Sequence, residues 1–257
     1  MVKSFGRTLT ILEELRRLDG ADVSTLAESL EIPKSTIYNH VNTLEGHGYL
    51  IKDGSVYRIG LRFLELGEHA RNQIPLYRMA QEQIQNLAEK TNESANLAVE
   101  EQGDAVCLIV EQGQQDVTLE TPPGKRVDLH CSGMGKVILA HLPEARRNRL
   151  ISQATLCRRT EHTITDEEKL RDELAEIRDQ GYAFDDQEYH RGLRCIGAPI
   201  LDEDDQVLGA VSISGPTSRM KKDRLEGELL DAIRDTINII EVNITYSRAS
   251  YDQPSLA

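Results

Sequence analysis

Gly20, Pro33, Gly46, Gly48 and the Asp53-Gly54 pair punctuate the first sixty residues so closely that no long helix or strand fits between them. Segments this short bury an apolar face only by packing together, as a few helices closed by a hairpin. The pattern inside them agrees. Leu9, Leu12, Leu15 and Leu18, with Ile11 alongside, form a helical stripe that stops at Asp19-Gly20. Ser24 is placed to cap a second helix carrying Leu26, Ala27 and Leu30, which ends before Pro33. A third helix, Ser35 to Leu44, turns Ile37, Val41 and Leu44 inward. Tyr49–Lys52 and Ser55–Ile59 then flank Asp53-Gly54, a turn pair favoured by two-residue hairpins. The expected order over residues 5–60 is helix, helix, helix, β-hairpin.

At 257 residues the chain has room for a second, larger domain. A polar helix with Leu61, Leu64 and Leu66 as its apolar positions reads as a connector over 61–74 and a possible dimer contact, ending at Pro75. Beyond it the spacing predicts a helix from Tyr77 to about Lys90. Strands are expected at Ala95–Glu100, Ala105–Glu111, Val117–Thr121, Cys195–Leu201 and Val207–Ser214, and helices at Met134–Leu142 and Asp166–Gln180. A final amphipathic helix, about Arg224 to Tyr246, buries Leu229, Leu230, Ile233, Ile237 and Ile240. This is an α+β chain: a mostly antiparallel sheet with packed helices over 75–246, then a disordered tail over 247–257.

Composition narrows the classes of function. No apolar run approaches the roughly 20 residues needed to span a bilayer. The opening stretch is interrupted by Glu13, Glu14 and Arg16, unlike a secretion signal, so a soluble, cytoplasmic protein with no membrane partner is expected. The four cysteines are scattered without a C-x-x-C pair, against disulfides and zinc ribbons. The formal net charge is −13, with 21 Arg and only 9 Lys. Such an acidic, Lys-poor surface fits either a protein working in high salt or an ordinary acidic cytoplasmic one. The charge is uneven: residues 1–73 carry nine bases against ten acids, whereas the remainder carries 21 against 33. A near-neutral, locally basic segment on a strongly acidic body suggests a nucleic-acid reader attached to something else.

The third helix sharpens that reading. With Ile37, Val41 and Leu44 inward, its outward arc holds Ser35, Asn39 and Asn42, flanked by Thr36, Tyr38 and Thr43. None is acidic, in a chain otherwise rich in acids. A helix entering the major groove needs donors and acceptors without negative charge opposing phosphate, and Asn pairs bidentately with adenine. Lys34 at the helix start, with Lys52 and Arg58 in the hairpin, is placed for backbone phosphates. A winged helix used for protein contacts is the bland alternative.

In the second half, Ser132-Gly133-Met134-Gly135 opens a helix whose first amides favour an anion, although the spacing of a nucleotide-binding loop is absent. Ser212 and Ser214, alternate residues on a strand, project to one side. Cys195 with His190 nearby, and Asp185 to orient the histidine, is a conceivable nucleophile–base pair. A buried strand thiol is more often a small core residue. Cys131 beside His130, or His162, is a weak metal candidate. No catalytic residue, metal or cofactor is expected.

The stretch LAESLEIPKSTIYNHVNTLEGHGYLIKDGSVYRIGLRFLELG resembles the winged helix-turn-helix of the IclR family of transcriptional regulators. PPGKRVDLHCSGMGKVILAHLP and IRDQGYAFDDQEYHRGLRCIGAPILDEDDQVLGAVSISGPTSRM resemble that family's second domain, so the likeness spans about residues 5–246. It implies a sequence-specific DNA-binding regulator controlling catabolic genes, with a GAF-like effector domain for a small metabolite, often a carboxylic or sugar acid. It also implies a homodimer or dimer of dimers on a roughly palindromic site in double-stranded DNA. By the same resemblance Gly133, Met134, Asp185, Leu193, Cys195, Ser212 and Ser214 occupy the effector-pocket positions. Many members carry Arg where Asn39 and Asn42 stand here, so their operators are no guide to this one. A metabolic enzyme using Cys195 and His190 with a regulatory N-terminal module remains the alternative.

Overall fold

The structure is a computed structural model describing residues 3–114 and 121–251. It divides into two units, Met1–Gln73 and Ile74–Ala257.

The first unit contains α1 (Lys3–Arg17), α2 (Val23–Leu30), α3 (Lys34–Gly46), the strands β1 (Leu50–Asp53) and β2 (Val56–Ile59), and α4 (Arg62–Asn72). Its core joins Ile11 and Leu15 of α1 to Leu26, Ile37, Val41, Leu50 and Tyr57. Asp22, not Ser24, caps α2: its side chain accepts the Thr25 amide at 2.8 Å, and because the helix already starts at Val23, Ser24 lies inside the first turn. The hairpin is offset by one residue from the expected register. Asp53 pairs with Val56, so the loop is Gly54-Ser55, with Gly54 at φ +60° in the first loop position. Glycine there has the freedom that a II′-like turn requires, and aspartate becomes the last strand residue. The shift changes the partners but not the faces, since strand alternation is kept: Leu50, Lys52, Tyr57 and Ile59 lie on one, and Ile51, Asp53, Val56 and Arg58 on the other.

In the second unit α5 (Pro75–Thr91) leads to β3 (Ser94–Glu101) and β4 (Asp104–Glu111), then β5 (Arg126–Asp128), α6 (Gly133–His141), α7 (Glu144–Gln153) and α8 (Glu167–Gln180). After β6 (Ala183–Asp186), β7 (Leu193–Leu201) and β8 (Val207–Pro216) come α9 (Lys222–Arg224), a π-helical turn (Leu225–Leu229) and α10 (Leu230–Tyr251). The sheet order is β5-β4-β3-β8-β7-β6, every neighbouring pair antiparallel.

Alternation along the strands separates two faces. Ala95, Leu97, Ile196, Ile200, Val211 and Ile213 pack with α5 and α10 in one core. Ala98, Ala105, Cys107, Ala183 and Ala210 pack with α6 and α8 in another. The first face is bulky and the second small, which lets α6 approach the sheet closely. The strand expected at Val117–Thr121 falls largely within residues outside the described ones. The short strands β5 and β6 and the helix α7 are additions to the expected elements. α10 runs to Tyr251, into the stretch expected as a disordered tail. Residues 252–257 lie outside the described ones.

Candidate functional site

Two surfaces carry the residues singled out from sequence. On the first unit, Ile37 and Val41 are fully buried and hold α3 by one side. Ser35, Tyr38, Asn39 and Thr43 are exposed on the other, with Thr36 and Asn42 half-buried. The Tyr57 hydroxyl donates to Asn42 Oδ1 at 3.2 Å, so a core tyrosine of the hairpin fixes that amide and its NH2 group faces away. Lys52 shares this hairpin face, its Nζ 5.1 Å from the centre of the Tyr57 ring. Thr43 Oγ1 donates to the Asn39 carbonyl at 2.8 Å, which spends its proton on the helix. Lys34 is exposed and donates to Ser24 Oγ at 2.9 Å. Arg58 is not brought to this surface. It lies on the opposite hairpin face, and its guanidinium donates to the Asp19 carbonyl at the end of α1. There it borders a groove lined by Leu9, Leu12, Ile51, Ile59 and Phe63.

On the second unit, a cavity of about 240 Å³ opens at the end of the small-residue sheet face. Met134, Asp185, Leu193, Cys195 and Ser214 line it, as the resemblance implies. Gly133 and Ser212 sit behind the wall, both buried. Asn96, missed in sequence, donates to the hydroxyls of both Ser212 and Ser214 at 3.4 Å, which places the two serines on one side of β8. Its signal was present: a polar residue between the apolar Ala95 and Leu97, on the opposite face of the strand from both. Ser132, Lys125 and Tyr189 also line the cavity. Ser132 caps α6, its Oγ accepting the Gly135 amide at 3.1 Å.

The approach of α6 to β7 depends on glycine. A Cβ on Gly197 would lie 2.9 Å from the Gly133 carbonyl carbon and 3.0 Å from the Met134 nitrogen, both backbone atoms. Gly197→Ala is therefore expected to push the start of α6 off the sheet, costing about 1–3 kcal/mol by overpacking. Thermal unfolding checks the stability loss, and ligand titration checks the reshaped cavity wall.

Under the cavity lies a buried ionic cluster. Lys136 is fully buried in α6, and its ammonium donates to Glu173 of α8 and, at 2.5 Å, to Glu188. Burial pushes the Glu188 carboxyl up to about 7, with Lys136 opposing the shift and Glu173 and Asp185 adding to it. Burial likewise pushes Asp185 up to about 6, against hydrogen bonds from the Glu188 and Tyr189 amides.

The rival nucleophile is poorly served. Burial pushes the Cys195 thiol up to about 12, so it stays protonated, whereas a nucleophilic cysteine needs a lowered value. His190 Nδ1 is 2.8 Å from the Arg191 carbonyl. His130 Nε2 is 3.1 Å from the Cys157 carbonyl, and among the described residues no three His, Cys, Asp or Glu side chains converge as a metal site.

Residues 4–54 match the IclR helix-turn-helix domain, and residues 68–242 match the bacterial transcriptional regulator IclR C-terminal domain. The chain belongs to the IclR family. It is 35% identical over 247 residues to the "Probable HTH-type transcriptional regulator ArcR" of Halobacterium salinarum, covering 95% of this chain and 94% of that one. It is 33% identical over 229 residues to the transcriptional repressor IclR of Escherichia coli K12, covering 87% and 84%. The IclR crystal structure from Thermotoga maritima superposes with a TM-score of 0.77 at 26% identity, covering 94% of this chain and 98% of that one. An IclR homologue from Microbacterium hydrocarbonoxydans, complexed with 4-hydroxybenzoate, shares the fold at 22% identity and a TM-score of 0.77, covering 93% and 99%. As an IclR-type transcriptional regulator, the chain combines a helix-turn-helix DNA-binding domain with a C-terminal effector-binding domain. Its relatives are regulators by name. Among the described residues no helix is long and apolar enough to cross a membrane.

Proposed function

We propose that the chain acts in the cytoplasm as a homodimer that inserts α3 into the major groove of a roughly palindromic operator and controls catabolic genes in response to a small carboxylic acid. The working division is a reader at 5–60, a connector at 61–74 and an effector domain at 75–246. The observation that carries the reading is the uncharged outward face of α3: Asn39 is exposed and Asn42 is oriented by Tyr57. Ser35, Thr36, Tyr38 and Thr43 flank them, with Lys34 and Lys52 beside the groove for phosphates. Arg58 has no such part in this reading.

Exposed apolar side chains support self-association. Leu61, Leu64 and Leu66 of the connector segment are exposed, as are Phe5, Leu9 and Ile51. A second copy covering them would give two-fold symmetry and half-sites about one helical turn, or a multiple, apart. The cavity supports the effector reading through Met134, Leu193, Asp185, Cys195 and Ser214, with Gly133 and Ser212 shaping its wall. The M. hydrocarbonoxydans homologue, solved with 4-hydroxybenzoate, suggests an acid of that size or smaller.

The test is a binding titration of the full chain on duplexes from upstream of its own gene and its neighbours, with and without small monocarboxylates. Tight binding that an acid changes supports the reading; an acid can do so only by binding the DNA-competent and incompetent arrangements unequally. Lys52→Ala is expected to weaken binding to all sequences alike and lower the salt slope by roughly 0.9 per neutralised phosphate. An unchanged slope removes Lys52 from the phosphate contacts.

A further inference from the structure

Three carboxyl groups gather around Lys136. Glu173 and Glu188 accept from its ammonium, and Glu188 Oε2 is buried with no hydrogen-bond partner. Asp185, three residues before Glu188, lines the cavity, and both amide hydrogen bonds it accepts fall on Oδ1. With all three ionised, one ammonium faces three carboxylates, of which Asp185 and Glu188 are buried and Glu173 is partly exposed. A buried carboxylate oxygen without a donor is costly, and a proton removes the cost.

The other groups around Asp185 are mixed in charge, with Lys125 and Arg194 bringing cations to the cavity lining. Asp186 on the same strand is held by Arg194 of β7 at 2.7 Å. Cys195 stands opposite Asp185 in the β6–β7 register, and Cys131, from the turn before α6, feels the Asp185 charge; both thiols are raised by burial. Arg159 is paired with Asp128. Tyr189, itself raised by burial, lines the cavity with His190 and Lys125.

Resting on the effector reading above, we propose that the cavity takes up an anionic effector together with one proton from solvent, held on Asp185, so that Asp185 meets the ligand carboxylate as a hydrogen-bond donor. Lys136, Glu188 and Glu173 are the positioning residues that set this proton. Without it, two carboxylates would face each other across a small cavity; with it, the Asp185 hydroxyl donates to a ligand oxygen. The raised affinities of Asp185 and Glu188 for protons fit this arrangement. A ligand anion beside Asp185 shifts it further in the same direction, as like charges do.

The experiment is isothermal titration of the full chain with propionate, lactate and 4-hydroxybenzoate, each against its uncharged amide, in buffers of low and high ionisation enthalpy. For an acid that binds, Kd is expected to rise, approaching tenfold per pH unit, between about pH 6.5 and 8. The heat should depend on the buffer in proportion to about one proton taken up. Asp185→Asn keeps the geometry without the charge. It should bind at least about tenfold more tightly than the native chain at the alkaline end, with buffer-independent heat. Glu188→Gln, a milder change that guards against misfolding of the first variant, should move the pH dependence to lower pH. Binding that ignores pH and buffer overturns the proton uptake and leaves the effector reading standing. No binding by any acid at any pH, in the native chain or Asp185→Asn, overturns the effector reading and this inference with it.

Discussion

Replacing Lys136 by methionine is expected to destabilise the second unit by about 3–5 kcal/mol, the cost of leaving buried carboxylates without their cation. Methionine fills much the same volume, so the loss reports charge rather than a cavity. The same reasoning gives the pH dependence. Unpaired Glu188 is most costly when ionised, so the penalty is largest above about pH 7 and shrinks as pH falls and the carboxyl protonates. In the native chain, Asp185 and Glu188 are raised above their unfolded values. The folded state therefore holds protons that the unfolded chain has released, and stability falls as pH rises from the ordinary carboxylate range to about 7, then levels. Urea unfolding of native and Lys136→Met chains at several pH values checks both points. A loss under about 1 kcal/mol, as for a solvated surface pair, would contradict the buried-cluster account. Adding Glu188→Gln to Lys136→Met should recover part of the loss, because it removes one of the stranded charges.

Much of this architecture is legible in periodicity. The stripes of α1, α3, α5 and α10 and the alternation of β3, β4, β7 and β8 are strong because each buries a long face. What escapes is short or disguised. β5 has three residues at a sheet edge, with only Val127 buried. α7 buries Ile151 alone, so its sequence reads as a polar loop. β6 ends in Asp185-Asp186, which looks like a solvated acidic turn; pairing with β7 instead buries the first aspartate and exposes the second. The cluster around Lys136 had one visible trace, a lysine inside the otherwise apolar run from Gly133 to Ala140. Its partners lie far along the chain, and only the packing of α8 and the turn after β6 brings them together. Arg58 shows the opposite limit. Its charge and hairpin position suggested a phosphate contact, but strand alternation sets it on the face opposite Lys52 and Tyr57, where its guanidinium is taken up by the Asp19 carbonyl.

Asn39→Ala is the second large expected effect: a loss of about 1–3 kcal/mol in specific DNA binding, confined to one base position in each half-site. Asn39 is exposed and its side chain supports no part of the core, so stability should stay within about 0.5 kcal/mol of native. Asn42→Ala removes the acceptor of the Tyr57 hydroxyl, so it should lose both affinity and some stability. The contrast between the two separates base reading from support of the helix. Affinity for random duplex should be nearly unchanged by Asn39→Ala, since phosphate contacts carry that term.

The most direct measurement is selection of duplexes from a random pool by the full native chain and by Asn39→Ala, followed by sequencing. A two-fold symmetric motif is expected from the native chain, with one symmetric pair of positions relaxed in the variant. No enriched motif, or a motif that Asn39→Ala leaves untouched, would contradict the assignment of α3 as the element that reads DNA.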